Sequence, residues 1–347
     1  MDINQRIDAF SKLGSILRNY LAGKPTKYSS ALNNLIETQF QKNPWFTPDN
    51  VRMALKAIAD ELTHENLVKW TGMYPALAND SKPVNVGVIM AGNIPLVGFH
   101  DFLSVLITGN NIIAKTSSKD SDLIAFVSEI LCDINPGFRE KIKIAEATLS
   151  GFDMVIATGS DNSSRYFEYY FGKYPSIIRK NRKSFAIIDG SETDEELTAL
   201  GSDIFSYFGL GCRNVSKLFA PSGYDFSRML KAWDKYSAVI NHQRYASNYD
   251  FSKAVYIVNK EKFTDTGFIL LKENQGLSSP VAVLYYEYYN SFDEAEMITE
   301  NLKGKIQCIC SKNHIAFGKA QTPSLWDYAD GIDTVEFLLK KNIEGIL

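Results

Sequence analysis

The apolar positions change rhythm along the chain. Ile3, Ile7, Phe10, Leu13, Ile16, Leu17, Tyr20 and Leu21 recur every three or four residues, which gives one apolar helical face. Both charge signs mix on the opposite face, as on a helix packed against a protein body rather than a membrane surface. Thr47-Pro48-Asp49-Asn50 reads as a cap for a second helix over 51–61, so residues 1–80 read as a helical region.

The pattern shifts at Ser81-Lys82-Pro83. A β-rich run over 84–90 leads into Ala91-Gly92-Asn93, then a helix over 96–107, a Gly109-Asn110-Asn111 turn and a strand over 112–114. Strand, helix, strand is a βαβ unit with a parallel sheet. A helix over 120–132 and strands over 142–145 and 154–157 continue the series. The last of these runs into Thr158-Gly159-Ser160 and a Tyr/Phe-rich helix, and a strand over 184–188 closes the set. Such alternation implies an α/β, doubly wound sheet with ligands at the carboxyl ends of its strands. The second half is mixed, with strands over 216–220, 254–258, 281–286 and 306–310 and helices over 226–235 and 291–302.

Composition narrows the function classes. The 347 residues carry 37 Lys plus Arg against 40 Asp plus Glu, a balance without the basic stripe of a nucleic-acid surface. The cluster Arg179, Lys180, Arg182 and Lys183 reads as a solvated face. No run of about twenty apolar residues occurs, so no membrane span is expected. The N-terminus has no signal-peptide pattern, and four cysteines without paired spacing suit a reducing cytoplasm.

The local sequence richest in chemistry is Gly209-Leu210-Gly211-Cys212. Glycines let the backbone bend tightly beside a ligand, and a cysteine on such a loop can be held as a thiolate by nearby N–H groups, with Arg213 adjacent. A small residue in a tight turn reads equally well from these letters alone. Cys132 sits in an apolar helix, while Cys308 and Cys310 share one strand face with only His314 close in sequence, so no metal site is expected. There is no Gly-x-Ser-x-Gly elbow, no Walker loop and no Gly-x-Gly-x-x-Gly after a strand.

Five blocks, in order, resemble the aldehyde dehydrogenase superfamily. They are Ala91-Gly92-Asn93-Ile94-Pro95-Leu96, then Gly109-Asn110 followed by Lys115-Thr116-Ser117-Ser118, then Thr158-Gly159-Ser160, Gly209-Leu210-Gly211-Cys212 and Ala316-Phe317-Gly318. Within that superfamily the chain most resembles the acyl-CoA reductases that include LuxC, and Trp326-Asp327-Tyr328-Ala329-Asp330-Gly331 fits that branch.

The resemblance implies an aldehyde dehydrogenase-like fold. It would pair a dinucleotide-binding domain (81–207) with a second α/β catalytic domain (208–315), beside the helical 1–80 region, and a 316–347 segment would return to the body. It implies Cys212 as nucleophile and Asn93 as donor to the developing oxyanion, with the Cys212 N–H as second donor. It implies Lys115 on the adenosine ribose and Thr158, Gly159 and Ser160 at the pyrophosphate, where a helix N-terminus favours anions.

The departures are informative. The superfamily glutamate that activates water aligns with Arg179, which favours reduction of a thioester over oxidation to acid. The motif that holds the nicotinamide ribose has become Gly276-Leu277-Ser278-Ser279-Pro280. Relatives specific for NAD carry a glutamate where Ser118 stands. Ser117 and Ser118 can donate to a 2′-phosphate instead, so NADPH is the expected cofactor, with NADH the alternative.

The expectation is a cytoplasmic acyl-CoA reductase that releases an aldehyde from a Cys-linked acyl-enzyme. Its substrate would be an acyl-CoA or acyl-carrier thioester, and the protein a homo-oligomer. With 21 Phe and 18 Tyr to line a tunnel, the acyl chain is expected to be at least medium in length. His242 is a candidate acid, with a structural role the alternative. The rivals are a short-chain CoA-acylating aldehyde dehydrogenase, an acyl-phosphate reductase, and a non-catalytic paralogue serving as a binding subunit.

Overall fold

The computed structural model describes residues 1–79, 82–145, 148–159, 161–180 and 182–344. The chain forms two compact units, residues 1–181 with 324–347 and residues 182–323.

The first unit opens with α1 (Ile3–Leu21), α2 (Ser29–Lys42), α3 (Pro48–Glu61) and α4 (His64–Gly72). Asp2 and Gln5 form a reciprocal capping box at the start of α1, and Thr47 caps α3 with Pro48 as its first residue. Ile7, Phe10, Leu13 and Leu17 of α1 are buried, the face that their spacing predicts.

A five-stranded, all-parallel sheet follows, in the order β3-β2-β1-β4-β5. Its strands are β1 (Asn85–Ile89), β2 (Asn111–Lys115), β3 (Ile142–Ile144), β4 (Met154–Thr158) and β5 (Ser176–Arg179). Helices α5 (Phe99–Ile107), α6 (Ser121–Ile134) and α7 (Asp161–Phe171) make the connections. From β1 the order runs one way through β2 to β3 and the other way through β4 to β5. The switch point therefore falls between β1 and β4, where sheets of this kind leave a crevice for ligands. The central strands are buried, and their apolar residues join the helical region in one core.

The second unit holds β6 (Lys183–Ile187), α8 (Asp194–Phe205), β7 (Val215–Pro221), α9 (Ser227–Ala232), α10 (Gln243–Val258) and β8 (Thr264–Asp265). It continues through β9 (Leu270–Glu273), β10 (Val283–Tyr289), α11 (Phe292–Leu302) and β11 (Ile306–Cys310). Its six-stranded sheet has the order β11-β6-β7-β10-β9-β8, parallel except for the β8–β9 pair. Helix α12 (Thr334–Glu344) belongs to the first unit again.

Several elements differ from their sequence reading. The run over 254–258 is the end of α10, not a strand. Tyr245, Tyr249, Ser252 and Tyr256 are the buried positions of that helix, a three-and-four spacing that overrides the β-branched letters. The strand over 184–188 does not close the first sheet. It is β6, paired with β7 and β11 in the second, while the unanticipated β5 closes the first. The compact units divide at 181/182 and 323/324, whereas the sequence put functional boundaries at 80/81, 207/208 and 315/316. The helix expected from 96 begins at Phe99, because Pro95 and a left-handed Leu96 (φ 57°) precede it.

Candidate active site

Three loops leave the carboxyl ends of neighbouring strands in the first sheet. Asn93 is exposed on the loop after β1. Lys115 ends β2 and is half-buried, as is Ser117, while Ser118 is exposed. Thr158 ends β4, and half-buried Gly159 stands just before α7. Ser160 lies outside the described residues. The backbone fits tightly in two of these loops. A Cβ on Gly92 would lie 2.4 Å from Ser117 Oγ, and one on Gly159 would lie 2.8 Å from Ser163 Cβ. The chain thus brings Asn93, Lys115, Ser117, Thr158 and Gly159 to one edge of one sheet. This is a cradle of backbone and small side chains at a helix start, suited to a dinucleotide diphosphate.

Arg179 corrects the reading of its cluster as a solvated face. At 4% exposure it is buried at the end of β5, where its guanidinium pairs with the buried Asp101 of α5 and donates to Thr334 Oγ1 at 2.9 Å. Arg179 is thus an internal cation tied to α5 and to the start of α12.

In the second unit Cys212 lies half-buried in the turn that feeds β7. The residues before it follow an uncommon path. Tyr207, Phe208 and Gly209 are all left-handed, with φ of 52°, 58° and 76°. For two aromatic residues that path is costly, and such strain persists only where surroundings over-determine it. Buried Asn214 supplies the restraint. Its Nδ2 donates to the carbonyls of Asp203 at 3.0 Å and Ser206 at 2.8 Å, and its Oδ1 accepts the Gly211 N–H at 2.8 Å. Ser184 Oγ of β6 donates to the Cys212 carbonyl at 2.9 Å and lies 3.1 Å from Cys308 Sγ. The Phe208 ring packs 4.3 Å from the His242 ring. Neither Asn214 nor Ser184 stood out in the sequence, where an Asn two places after a cysteine carries no signal of its own.

Two of the other thiols are held away from the thiolate form. Burial raises the pKa of Cys132. Cys310 is fully buried, and its bond with Cys308 together with burial holds its thiol firmly protonated. Arg213 does not present its charge to Cys212 alone, because its Nε donates to the Ala320 carbonyl at 2.6 Å. His242 caps α10, where its Nδ1 accepts the Tyr245 N–H at 3.4 Å, which supports the structural reading. Ser279 and Pro280, from the altered ribose motif, line a cleft of about 40 Å³ together with Gly209, Gly211 and Asn214.

The architecture is that of the aldehyde dehydrogenases. The structure of aldehyde dehydrogenase 21 from Physcomitrella patens, in complex with its product succinate, matches with a TM-score of 0.67 at 12% identity, covering 98% of this chain and 84% of that one. An NAD-dependent aldehyde dehydrogenase from Sinorhizobium meliloti matches with a TM-score of 0.62 at 12% identity, covering 92% and 72%. At this identity the likeness defines the fold alone.

Residues 26–229, more than half the chain, match the model of the acyl-CoA reductase (LuxC) family, and the chain belongs to that family. The matched region contains Asn93, Lys115 and Cys212. A long-chain acyl-protein thioester reductase of Aliivibrio fischeri is 24% identical over 201 residues, 52% of this chain and 41% of that protein. Long-chain acyl-protein thioester reductase 2 of Photobacterium leiognathi is 26% identical over 147 residues, 38% of this chain and 30% of that protein. The alignments thus span well under half the length of these curated relatives. Among the described residues no helix is long and apolar enough to cross a membrane.

Proposed function

We propose that this chain reduces a long-chain acyl thioester, carried by CoA or by a protein, to the aldehyde through an acyl-enzyme on Cys212. The observation that carries the reading is the turn around Cys212. A half-buried thiol sits at the end of a left-handed segment that Asn214 holds in place, inside the region shared with the reductase family. A loop of this kind keeps a nucleophile at fixed geometry.

The Cys212 thiolate attacks the thioester carbonyl, the C–S bond to the carrier breaks, and the carrier thiolate leaves and takes up a proton. The resemblance to the aldehyde dehydrogenases assigns Asn93 and the Cys212 N–H as the donors that would meet the oxyanion in this step. The nicotinamide cofactor, when bound, supplies the hydride that takes the acyl group to the aldehyde level. Lys115, Ser117, Ser118, Thr158 and Gly159, with Ser160 by the family resemblance, would hold that cofactor, and the serine pair with Lys119 would favour the 2′-phosphate of NADPH. The resulting hemithioacetal on Cys212 then collapses: its C–S bond breaks, the aldehyde leaves and Cys212 is again a thiolate. The superfamily glutamate that activates water aligns with Arg179, so this chain lacks that general base, which accords with an acyl-enzyme that is reduced rather than hydrolysed. Four cysteines without a disulfide accord with a cytoplasmic setting for this chemistry.

The test is turnover of tetradecanoyl-CoA with NADPH and trapping of the aldehyde. Aldehyde in stoichiometry with NADPH consumed supports the reading, and free fatty acid or no product opposes it. The relatives named for acyl-protein thioesters favour a long chain over the short-chain and acyl-phosphate rivals.

A further inference from the structure

Asp120 stands at the N-cap of α6, where an aspartate ordinarily accepts an N–H from the first helical turn. It makes no such bond. Its carboxyl is instead buried, at 5% exposure, and Oδ2 accepts the N–H of Leu96 at 2.8 Å. Among the described residues Oδ1 has no hydrogen-bond partner. A buried carboxyl that forgoes its cap serves something other than its own helix.

What it joins are two loops. Leu96 ends the loop that carries Asn93 and is held left-handed, at φ 57°, a conformation unfavourable for leucine. Asp120 ends the turn that carries Ser117 and Ser118. In that turn the Asp120 N–H donates to the Ser117 carbonyl at 3.0 Å, and the Lys119 N–H donates to Ser117 Oγ at 3.3 Å. The two loops also touch at Gly92 against Ser117, and on the other side Asn43 Nδ2 donates to the Gly92 carbonyl at 3.2 Å. A displacement of the serine turn is therefore passed to the Asn93 loop through two neighbouring contacts, of which the Asp120–Leu96 bond is the directional one.

We propose that Asp120 is a positioning residue that couples occupation of the Ser117–Ser118 turn by a nucleotide phosphate to the placement of Asn93. Resting on the cofactor assignment above, this improves the placement of Asn93 when the cofactor arrives, without making acylation of Cys212 depend on it.

Hydrogen exchange of the peptide over 90–98, measured by mass with and without NADPH, reads the coupling without turnover. In the wild type NADPH should slow exchange at Leu96. In Asp120→Ala, exchange at Leu96 should rise about tenfold, the effect of losing one hydrogen bond of this kind, and NADPH should no longer slow it. Asp120→Asn keeps an acceptor oxygen and should restore the NADPH response, which separates positioning from loss of the carboxyl group as such. Should the alanine variant not fold, the wild-type and asparagine pair carries the test. NADPH that binds the wild type without slowing exchange at Leu96 overturns the coupling alone. So does an alanine variant that keeps the response, or a folded asparagine variant that lacks it. A wild type that binds no NADPH sinks the cofactor assignment and the coupling with it.

Discussion

Asn214 Oδ1 accepts the backbone N–H of Gly211, the residue before Cys212, at 2.8 Å. The same side chain holds the carbonyls at the end of α8, so one buried amide clamps both ends of the left-handed path from Tyr207 to Gly209. Truncation to alanine leaves the Gly211 N–H and two carbonyls without their partner. Asn214→Ala should cost about 2–4 kcal/mol of stability, in the range for groups left unsatisfied on burial. It should also slow acylation of Cys212. Denaturant midpoints and single-turnover acylation check this, and a variant with wild-type values in both rules out the clamp.

The ion pair between Arg179 and Asp101 is buried on both sides, at 4% and 5% exposure. Removing one partner strands a charge in the core, so Arg179→Met should destabilise by about 3–5 kcal/mol. The double variant with Asp101→Leu should recover a large part of the loss. A double-mutant cycle with no coupling energy would show that the pair is not formed in solution.

The sequence anticipated much of the first unit and less of the second. Periodicity in 3–21 and the cap at Thr47 gave helices where they stand, because local spacing and a capping residue are both local signals. Pairing partners are not local. The letters of β6 describe a strand but not the sheet it joins, and β5 is four residues that end in an arginine, whose burial only the fold reveals. The Cys212 loop was legible through its glycines, whereas Asn214 and Asp120 acquire their roles only when folding brings distant backbone groups to them.

Asp120 also predicts a pH dependence of stability. Burial raises its pKa from 3.8 to about 8, against the lowering by the Leu96 N–H. Asp122, paired with Lys42 of α2, adds a small upward push, and the loop 91–96 packed against it has no ionisable side chain. The folded form therefore holds a proton that the unfolded form has lost. This contribution is fully present below the unfolded pKa and is lost as pH rises towards about 8. Within that window each unit of pH removes up to about 1.4 kcal/mol. Asp120→Asn cannot ionise, so its stability should fall less between pH 5 and about pH 8 than that of the wild type. Parallel pH profiles for the two proteins would contradict the assignment.

The proposed preference for NADPH turns on Ser118, which is exposed beside Lys119. A carboxylate at this position repels a 2′-phosphate, so Ser118→Glu should lower kcat/KM for NADPH by about tenfold or more and spare NADH. Equal efficiency with both cofactors in the wild type, or no response to the substitution, removes the argument.

The central claim is that Cys212 carries the acyl group. Incubation with tetradecanoyl-CoA, then intact and peptide mass spectrometry, tests it most directly. The wild type should gain one acyl group on the peptide that contains Cys212, labile to hydroxylamine as a thioester, and Cys212→Ala should gain none. An adduct on Cys132, Cys308 or Cys310 instead, or undiminished labelling of Cys212→Ala, would contradict the account.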